Sequence, residues 1–284
     1  MRSKVIGLGK LMRLEKPIGT LLLLWPTLSS FFILKNGSPT IELVIIFCIG
    51  TFLMRSAGCV INDYWDRDFD GKVQRTLSRP LVTGQVTPGE ALILFVFLIS
   101  LSAFLLTWTN KLTFYLAFGG FLVTCFYPLT KRFFKIPQIF LGLAFSWGIL
   151  MVSTAELEKI STLSLIIFSA CFCWIVAYDS AYAMSDKEDD LTIGLLSSAI
   201  TFGKFTPKVI LIFHLLSLGL WTLCGYIENL NKFFYLSICI CLILVYSQFQ
   251  LVKDCNREKC FLAFKRNNWI GAIIFLGSVL ATVY

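Results

Sequence analysis

Nine apolar runs of 18 to 24 residues alternate with short polar stretches: 17–34, 41–61, 90–108, 112–130, 137–154, 161–184, 207–227, 232–252 and 267–284. Runs of that length with few charges span the hydrocarbon of a bilayer as helices. The backbone finds no water partners there, so each run is expected to be α-helical. The expected fold is therefore all-α, a polytopic membrane protein with nine transmembrane helices. Pro26 falls inside the first run and is expected to loosen that helix locally. The basic residues before it (Arg2, Lys4, Lys10, Arg13, Lys16) resemble the start of a signal peptide. The run that follows is long and lacks a small-residue cleavage site, so it reads as a retained first span.

Composition agrees: the chain is 57% hydrophobic and 15% charged, with a mean hydropathy of +0.77. Soluble domains have about 25% charged residues, so a soluble basic binder is excluded. The net charge of +8 then reports topology, not nucleic-acid binding. With the N-terminus cytoplasmic, only Lys35, Lys111, Lys159 and Lys232 of the 25 basic residues fall on the far side. Nine spans put the C-terminus outside. A bacterial inner membrane is expected, because residues 1–16 are too short for a mitochondrial transit peptide. Most of the ten cysteines lie inside apolar runs, without a CxxC pair and with a single histidine in the chain. Packing between helices is expected of them, not disulfide or zinc chemistry.

Two acidic segments break the pattern. Asn62-Asp63-Tyr64-Trp65-Asp66-Arg67-Asp68-Phe69-Asp70 follows the second run, and Asp186-Lys187-Glu188-Asp189-Asp190 follows the sixth. They hold eight of the 17 acids, although cytoplasmic loops favour Lys and Arg. The topology places both on the cytoplasmic side. Spans one to four and five to eight each carry a cluster after their second helix, which reads as a pseudo-repeat plus a ninth helix within one domain, 1–284. On a helix, Asn62, Asp66 and Asp70 form a ladder along one face, and Asp186 and Asp190 repeat the interval. Asp63 and Asp68 point elsewhere and read as peripheral. Like charges at this spacing repel, so a cation is expected between them. Mg²⁺, which binds one or two carboxylates plus waters and phosphate oxygens, suits the set.

Arg67, Lys72, Arg75, Arg79, Lys131 and Arg132 share that side of the membrane. They read equally as phosphate clamps or as ordinary positive-inside residues. Asp179 and Tyr182 lie inside the sixth run, where an ionisable group is a functional candidate unless it is wetted at the interface. His214 reads as a neutral, hydrogen-bonded packing residue. Tyr64, Trp65, Tyr127, Trp174, Tyr178 and Tyr182 gather near the same mouth, as an interfacial belt or as rings that stabilise a cation.

The pattern Asn62-Asp63-x-x-Asp66-x-x-x-Asp70 resembles the first signature of the intramembrane prenyltransferases that act on aromatic acceptors. Asp179-x-x-Tyr182-Ala183-Met184-x-Asp186-Lys187-Glu188-Asp189-Asp190 resembles the second. The stretch from Leu11 to Thr20, Leu24-Trp25-Pro26-Thr27, Arg55-Ser56-Ala57-Gly58-Cys59 and Tyr127-Pro128-x-x-Lys131-Arg132 with Pro137-Gln138 resemble its 4-hydroxybenzoate branch. The resemblance covers nearly the whole chain. It implies a nine-helix bundle around a central cavity open to lipid. It also implies transfer of a polyprenyl group from its diphosphate to the ring carbon ortho to the hydroxyl of 4-hydroxybenzoate, an early membrane step of ubiquinone synthesis.

By the same resemblance, Asn62, Asp66, Asp70, Asp186 and Asp190 are the expected magnesium–diphosphate residues, and Arg67 and Arg132 the expected diphosphate contacts. Glu188 departs from the commonest form of the motif, which has Asp there. Charge and position make Arg13 and Lys16 the expected contacts for the benzoate carboxylate. The expected partners are polyprenyl diphosphate, 4-hydroxybenzoate and membrane lipid; the sequence sets no oligomeric state and identifies no base for the ring proton. Other readings are a naphthoate, haem or chlorophyllide acceptor, or a cation-coupled transporter. Transporters hold their site near the midplane, whereas these acids sit at one membrane edge.

Overall fold

The computed structural model describes residues 2–71 and 76–283. Lys72 and Arg75, two of the bases expected beside the first acidic segment, lie outside the described residues. Among the described residues every regular element is helical: α1 (Arg2–Leu11), α2 (Ile18–Leu34), α3 (Ile41–Asp70), α4 (Pro88–Leu106), α5 (Lys111–Thr130), α6 (Gln138–Leu157), α7 (Thr162–Ile193), α8 (Ser198–Phe202), α9 (Thr206–Ile227), α10 (Lys232–Val252) and α11 (Arg257–Val283). A single 3₁₀ turn, Gly203–Phe205, leads into α9.

Nine of these helices follow the apolar runs, with informative differences, while the short α1 and α8 lie outside them. α3 and α7 have 30 and 32 residues and continue as helix through the acidic segments. At 1.5 Å per residue they measure about 45 and 48 Å, against a hydrocarbon core of about 30 Å. The excess is the acidic part. Nothing interrupts it until Gly71 and Gly194, the latter closing α7 at φ +73°. α11 starts ten residues before the ninth apolar run, so Lys265 and Arg266 are helical. Helix α2 continues through Pro26, where the Thr27 and Ser29 hydroxyls donate to the carbonyls of Leu23 and Trp25 at 2.8 and 2.9 Å.

Among the described residues seven helices are long and apolar enough to cross a membrane. Helix α2 is as apolar but has 17 residues, and α11 opens with Arg257, Glu258 and Lys259. Large apolar side chains face outward: Ile93, Tyr115 and Ile243 are 72%, 72% and 69% exposed. Lipid, not water, suits such a surface. The chain is a multi-pass membrane protein.

Packing is densest where α7 meets α6 and α9, and where α10 meets α11. Trp174, Tyr178, Phe234 and Ile270 fill this core. The buried Asn267 accepts from the Trp174 indole at 2.9 Å and donates to Gln248 at 2.8 Å, joining α7, α10 and α11. On the other side, α2, α3, α4, α5, α6, α7 and α11 leave a cavity of about 1300 Å³ between them, larger than a usual small-molecule pocket.

Gly271 lets α11 approach α2 and α7: a Cβ there would stand 2.8 Å from Trp25 Cδ1 and 2.9 Å from Trp174 Cη2. Two rigid indoles cannot both yield, so Gly271→Val is expected to cost about 1–3 kcal/mol by overpacking. Thermal unfolding in detergent reads this directly; an unchanged midpoint would show that the contact is not needed.

Candidate active site

Because α3 stays helical to its end, Asn62, Asp66 and Asp70 stand on one face, and all three line the cavity. Asp66 and Asp70 are 3% and 6% exposed. The Asn62 amide donates to Asp66 Oδ2 at 3.3 Å, and the Lys131 ammonium, from the end of α5, pairs with the same oxygen. Asp66 Oδ1 is buried and has no hydrogen-bond partner among the described residues. Arg79 Nη1 lies 2.5 Å from Asp70 Oδ2 and 2.9 Å from Asp63 Oδ1. Asp70 is beyond the membrane span, and burial pushes its carboxyl up to about 6. Arg79 opposes that rise, while the Asp66 and Asp63 charges add to it.

Asp63 is not peripheral, contrary to the expectation from the ladder. It is fully buried and lines the cavity, and Arg13 Nη2 donates to both of its oxygens at 2.8 Å. The ladder counted four-residue steps only. Seven residues are also two helical turns, which puts Asp63 beneath Asp70 on the same side of α3. Arg13, at φ +58° between α1 and α2, thereby ties the N-terminal segment to α3. Asp68 does point away: its side chain is 77% exposed, 3.8 Å from Arg67 Nε.

The second acidic segment faces the same cavity through Asp186, Asp189 and Asp190, with Asp179 and Tyr182 deeper along α7. Arg257 reaches Asp189 at 2.5 Å. Glu188 is exposed and outside the lining, so the departure at that position falls away from the site. The Tyr182 ring packs 4.9 Å from Phe264, and Tyr127 and Tyr178 complete an aromatic section of the wall.

Not every expected base is brought in. Lys131, Arg13, Arg79 and the exposed Lys16 line the cavity. Arg67 and Arg132 do not. Arg67 donates to the Tyr64 carbonyl at 2.8 Å and lies over the Tyr64 ring at 4.5 Å, while Arg132 donates to the Trp65 carbonyl at 2.8 Å. Both brace the end of α3 from outside.

Arg55, which by charge alone reads as one more topology-setting base, is a site residue. It lines the cavity two turns below Asn62 and lies over the Phe145 ring at 5.9 Å. It is hydrogen-bonded to Cys59, and its buried Nε has no partner among the described residues. A Cβ on Gly19 would stand 2.6 Å from that Nε, so the glycine makes room for the guanidinium. The rule that singled out Asp179, an ionisable group inside an apolar run, finds Arg55 too. His214 is buried as expected, but its Nε2 lacks the expected hydrogen bond among the described residues.

Among the described residues no three carboxylate, imidazole or thiol groups stand close enough to enclose a metal ion. The site instead offers a row of hard oxygen donors on either side of the cavity and one buried, donor-less oxygen, Asp66 Oδ1. That set fits Mg²⁺, which keeps waters and takes one or two carboxylates together with the phosphates of its ligand.

Residues 23–276 match the family model described as the UbiA prenyltransferase family. A protein of Nitrosospira multiformis named 4-hydroxybenzoate octaprenyltransferase is 46% identical over 99% of this chain and 97% of its own. One of the same name from Aeromonas hydrophila is 45% identical over 98% and 97%. Among solved structures, the apo form of a UbiA homologue from Aeropyrum pernix superposes with a TM-score of 0.80 at 20% identity, over 92% of this chain and 97% of that one. A homologue from Archaeoglobus fulgidus bound to GPP and Mg²⁺ gives 0.72 at 18% identity, over 98% and 100%. At such identities the structures speak for the fold alone.

Removing the Asp63 carboxylate takes away the ion pair of the partly buried Arg13 and one of the two carboxylates that hold Arg79. Asp63→Ala is therefore expected to cost about 3 kcal/mol, whereas Asp68→Ala should stay within about 0.5 kcal/mol. Thermal melts of the two variants compared side by side check this, and equal effects would remove Asp63 from its anchoring role.

Proposed function

The chain belongs to the UbiA prenyltransferase family, and from that membership we infer that it transfers a polyprenyl group from polyprenyl diphosphate to the ring carbon ortho to the hydroxyl of 4-hydroxybenzoate, releasing diphosphate, in ubiquinone biosynthesis. The names of near-full-length relatives at 45–46% identity support this acceptor. The observation that carries the reading is the division of the cavity. Carboxylates and bases crowd one end, and Phe47, Leu106, Phe118 and Trp147 line the rest. Phe47 lies about 28 Å from Asp66 along α3, so the wall turns from charged to apolar over the length of a lipid tail. A polyprenyl diphosphate is divided in the same way.

Asn62, Asp66 and Asp70 on α3, with Asp186 and Asp190 on α7, are the residues that would hold Mg²⁺. When bound, it neutralises the diphosphate and improves it as a leaving group. Lys131 and Arg79, already seated among these carboxylates, present donors to phosphate oxygens. Tyr127, Tyr178 and Tyr182 keep water from the allylic carbon and turn ring faces toward its positive charge. The acceptor's carboxylate goes to Arg55, since Arg13 is committed to Asp63 and Lys16 is exposed.

All nine long helices cross the cell inner membrane in this reading, with the N-terminus and both acidic segments cytoplasmic. Residues 1–284 form one domain built from two four-helix units and α11. In support, the neighbours α2–α3 and α3–α4 of the first half have counterparts in α6–α7 and α7–α9 of the second.

Purified protein given labelled polyprenyl diphosphate, Mg²⁺ and 4-hydroxybenzoate should form the prenylated acid. Chelation should abolish this and added Mg²⁺ restore it. Asp66→Ala and Asp186→Ala are each expected to lower kcat by about 10²-fold or more. Product with a naphthoate but not with 4-hydroxybenzoate would reassign the acceptor, and solute flux without product would favour a transporter. Arg55→Ala should raise KM for 4-hydroxybenzoate about tenfold or more while leaving that for the diphosphate near its original value. A rise confined to the diphosphate would place Arg55 at the other substrate.

A further inference from the structure

We propose that Asp179 is a catalytic residue whose carboxylate accepts the proton that the aromatic ring loses after the new carbon–carbon bond has formed. The inference rests on the proposed prenylation reaction and goes beyond it by naming the base.

The argument starts from depth. Arg55 precedes Asn62 by seven residues on α3, and Asp179 precedes Asp186 by seven on α7. Each long helix thus carries one ionisable group about 10 Å below its oxygen ladder, on the same face, because seven residues complete two turns. Both groups line the cavity. They are opposite in charge, and the charges that act on Asp179 include those of Arg55 and Lys131 besides Asp186 and Asp190. A flat acceptor with its carboxylate on Arg55 and its ring beneath the diphosphate therefore lies beside Asp179.

The carboxylate is also uncommitted. No hydrogen bond or ion pair engages it among the described residues, and it remains partly exposed to the cavity. Its neighbours differ in this respect. Asp63, Asp66, Asp70 and Asp189 each hold a Lys or Arg. Tyr127, Tyr178 and Tyr182, on the same section of wall, are phenols, which accept a proton poorly unless they have first lost their own. Asp179 carries the carboxylate at that depth whose oxygens are free to accept a proton.

The step balances. The C–O bond of the prenyl diphosphate breaks with both electrons leaving on the diphosphate. A pair from the ring forms the bond to the allylic carbon, leaving a positive charge spread over the ring. The C–H pair at the substituted carbon then returns to the ring and restores aromaticity, while the proton passes to an Asp179 oxygen. The carboxylic acid later gives it up to water at the cavity mouth as diphosphate departs.

The test uses the full-length protein with farnesyl diphosphate, Mg²⁺ and 4-hydroxybenzoate, either unlabelled or deuterated at both ring carbons ortho to the hydroxyl. In the unaltered protein, rapid proton removal should leave the rate insensitive to deuterium. In Asp179→Asn the turnover should fall by about 10²–10⁴-fold, the usual worth of a positioned base, and a primary isotope effect should appear, because proton loss has become the slow step. Asp179→Glu should recover part of the rate and reduce that effect. Binding of radiolabelled farnesyl diphosphate should persist in Asp179→Asn; if that variant does not fold, Asp179→Ser carries the same measurement.

A variant that turns over at the original rate, or slowly without an isotope effect, overturns the assignment and gives the proton to the departing diphosphate. Failure of the unaltered protein to prenylate this acid is a different result: it overturns the acceptor reading and the assignment with it.

Discussion

Asp63, Asp66 and Asp70 are buried within eight residues of one helix, and an ionised carboxylate out of water must have positive charge beside it. The chain supplies that charge from three distant places: Arg13 between α1 and α2, Arg79 ahead of α4, and Lys131 at the end of α5. Each cation brings its own segment to the end of α3. The mouth of the cavity is therefore assembled largely by charge compensation, while apolar packing assembles the opposite half of the molecule. The arrangement carries its own ligand preference: oxygens that need cations, held among cations able to take phosphate, match a metal-bound diphosphate on both counts.

Helix length converts this chemistry into depth. Since α3 and α7 outrun the hydrocarbon by about 15 Å, the ladders stand in the polar layer, where charge is affordable. Arg55 and Asp179 sit two turns lower, where it is not, unless they face a cavity and each other's field. Below them the wall is apolar. In the proposed reaction these three levels take the diphosphate, the aromatic acid and the prenyl chain.

Much of this was legible in the sequence because acidic residues have few ordinary reasons to cluster at the ends of apolar runs. The apolar runs give the helices, and a four-residue interval gives Asn62, Asp66 and Asp70 a common face. What escaped did so for physical reasons. Hydropathy marks where a helix leaves lipid, not where it ends, so the extensions of α3 and α7 and the early start of α11 carry no hydropathy signal. The pairing of Arg13 with Asp63, fifty residues apart, has no local signature. Arg132 has the right charge in the right neighbourhood, but its reach to the Trp65 carbonyl is set by tertiary packing, whereas Arg67, one residue past Asp66, is turned from the ladder face by the helical period itself. Arg55 is a charge inside an apolar run, but a basic residue near the end of a span has an ordinary reason to be there, since it also sets topology.

Helix α7 shows how the two halves of the molecule serve one another. Its front face carries Asp179, Tyr182, Asp186 and Asp190 into the cavity. Its back is made of small or slender side chains: Ala177, Ala181 and Met184 pack against Ala199 on α8, Ile210 on α9, Val252 on α10 and Cys260 and Ala263 on α11, and Ser180 bonds Ser198 at 2.9 Å. In lipid, helices gain little from burying apolar surface, so close approach through small residues is what holds them. A bulkier side chain at Ala177 or Ala181 would move the front-face groups together, although it touches no ligand. Groups that must meet a substrate to within a fraction of an ångström are best mounted on the most rigidly packed element. Here that element is α7, and the dense core behind it is what allows the side in front to be hollow.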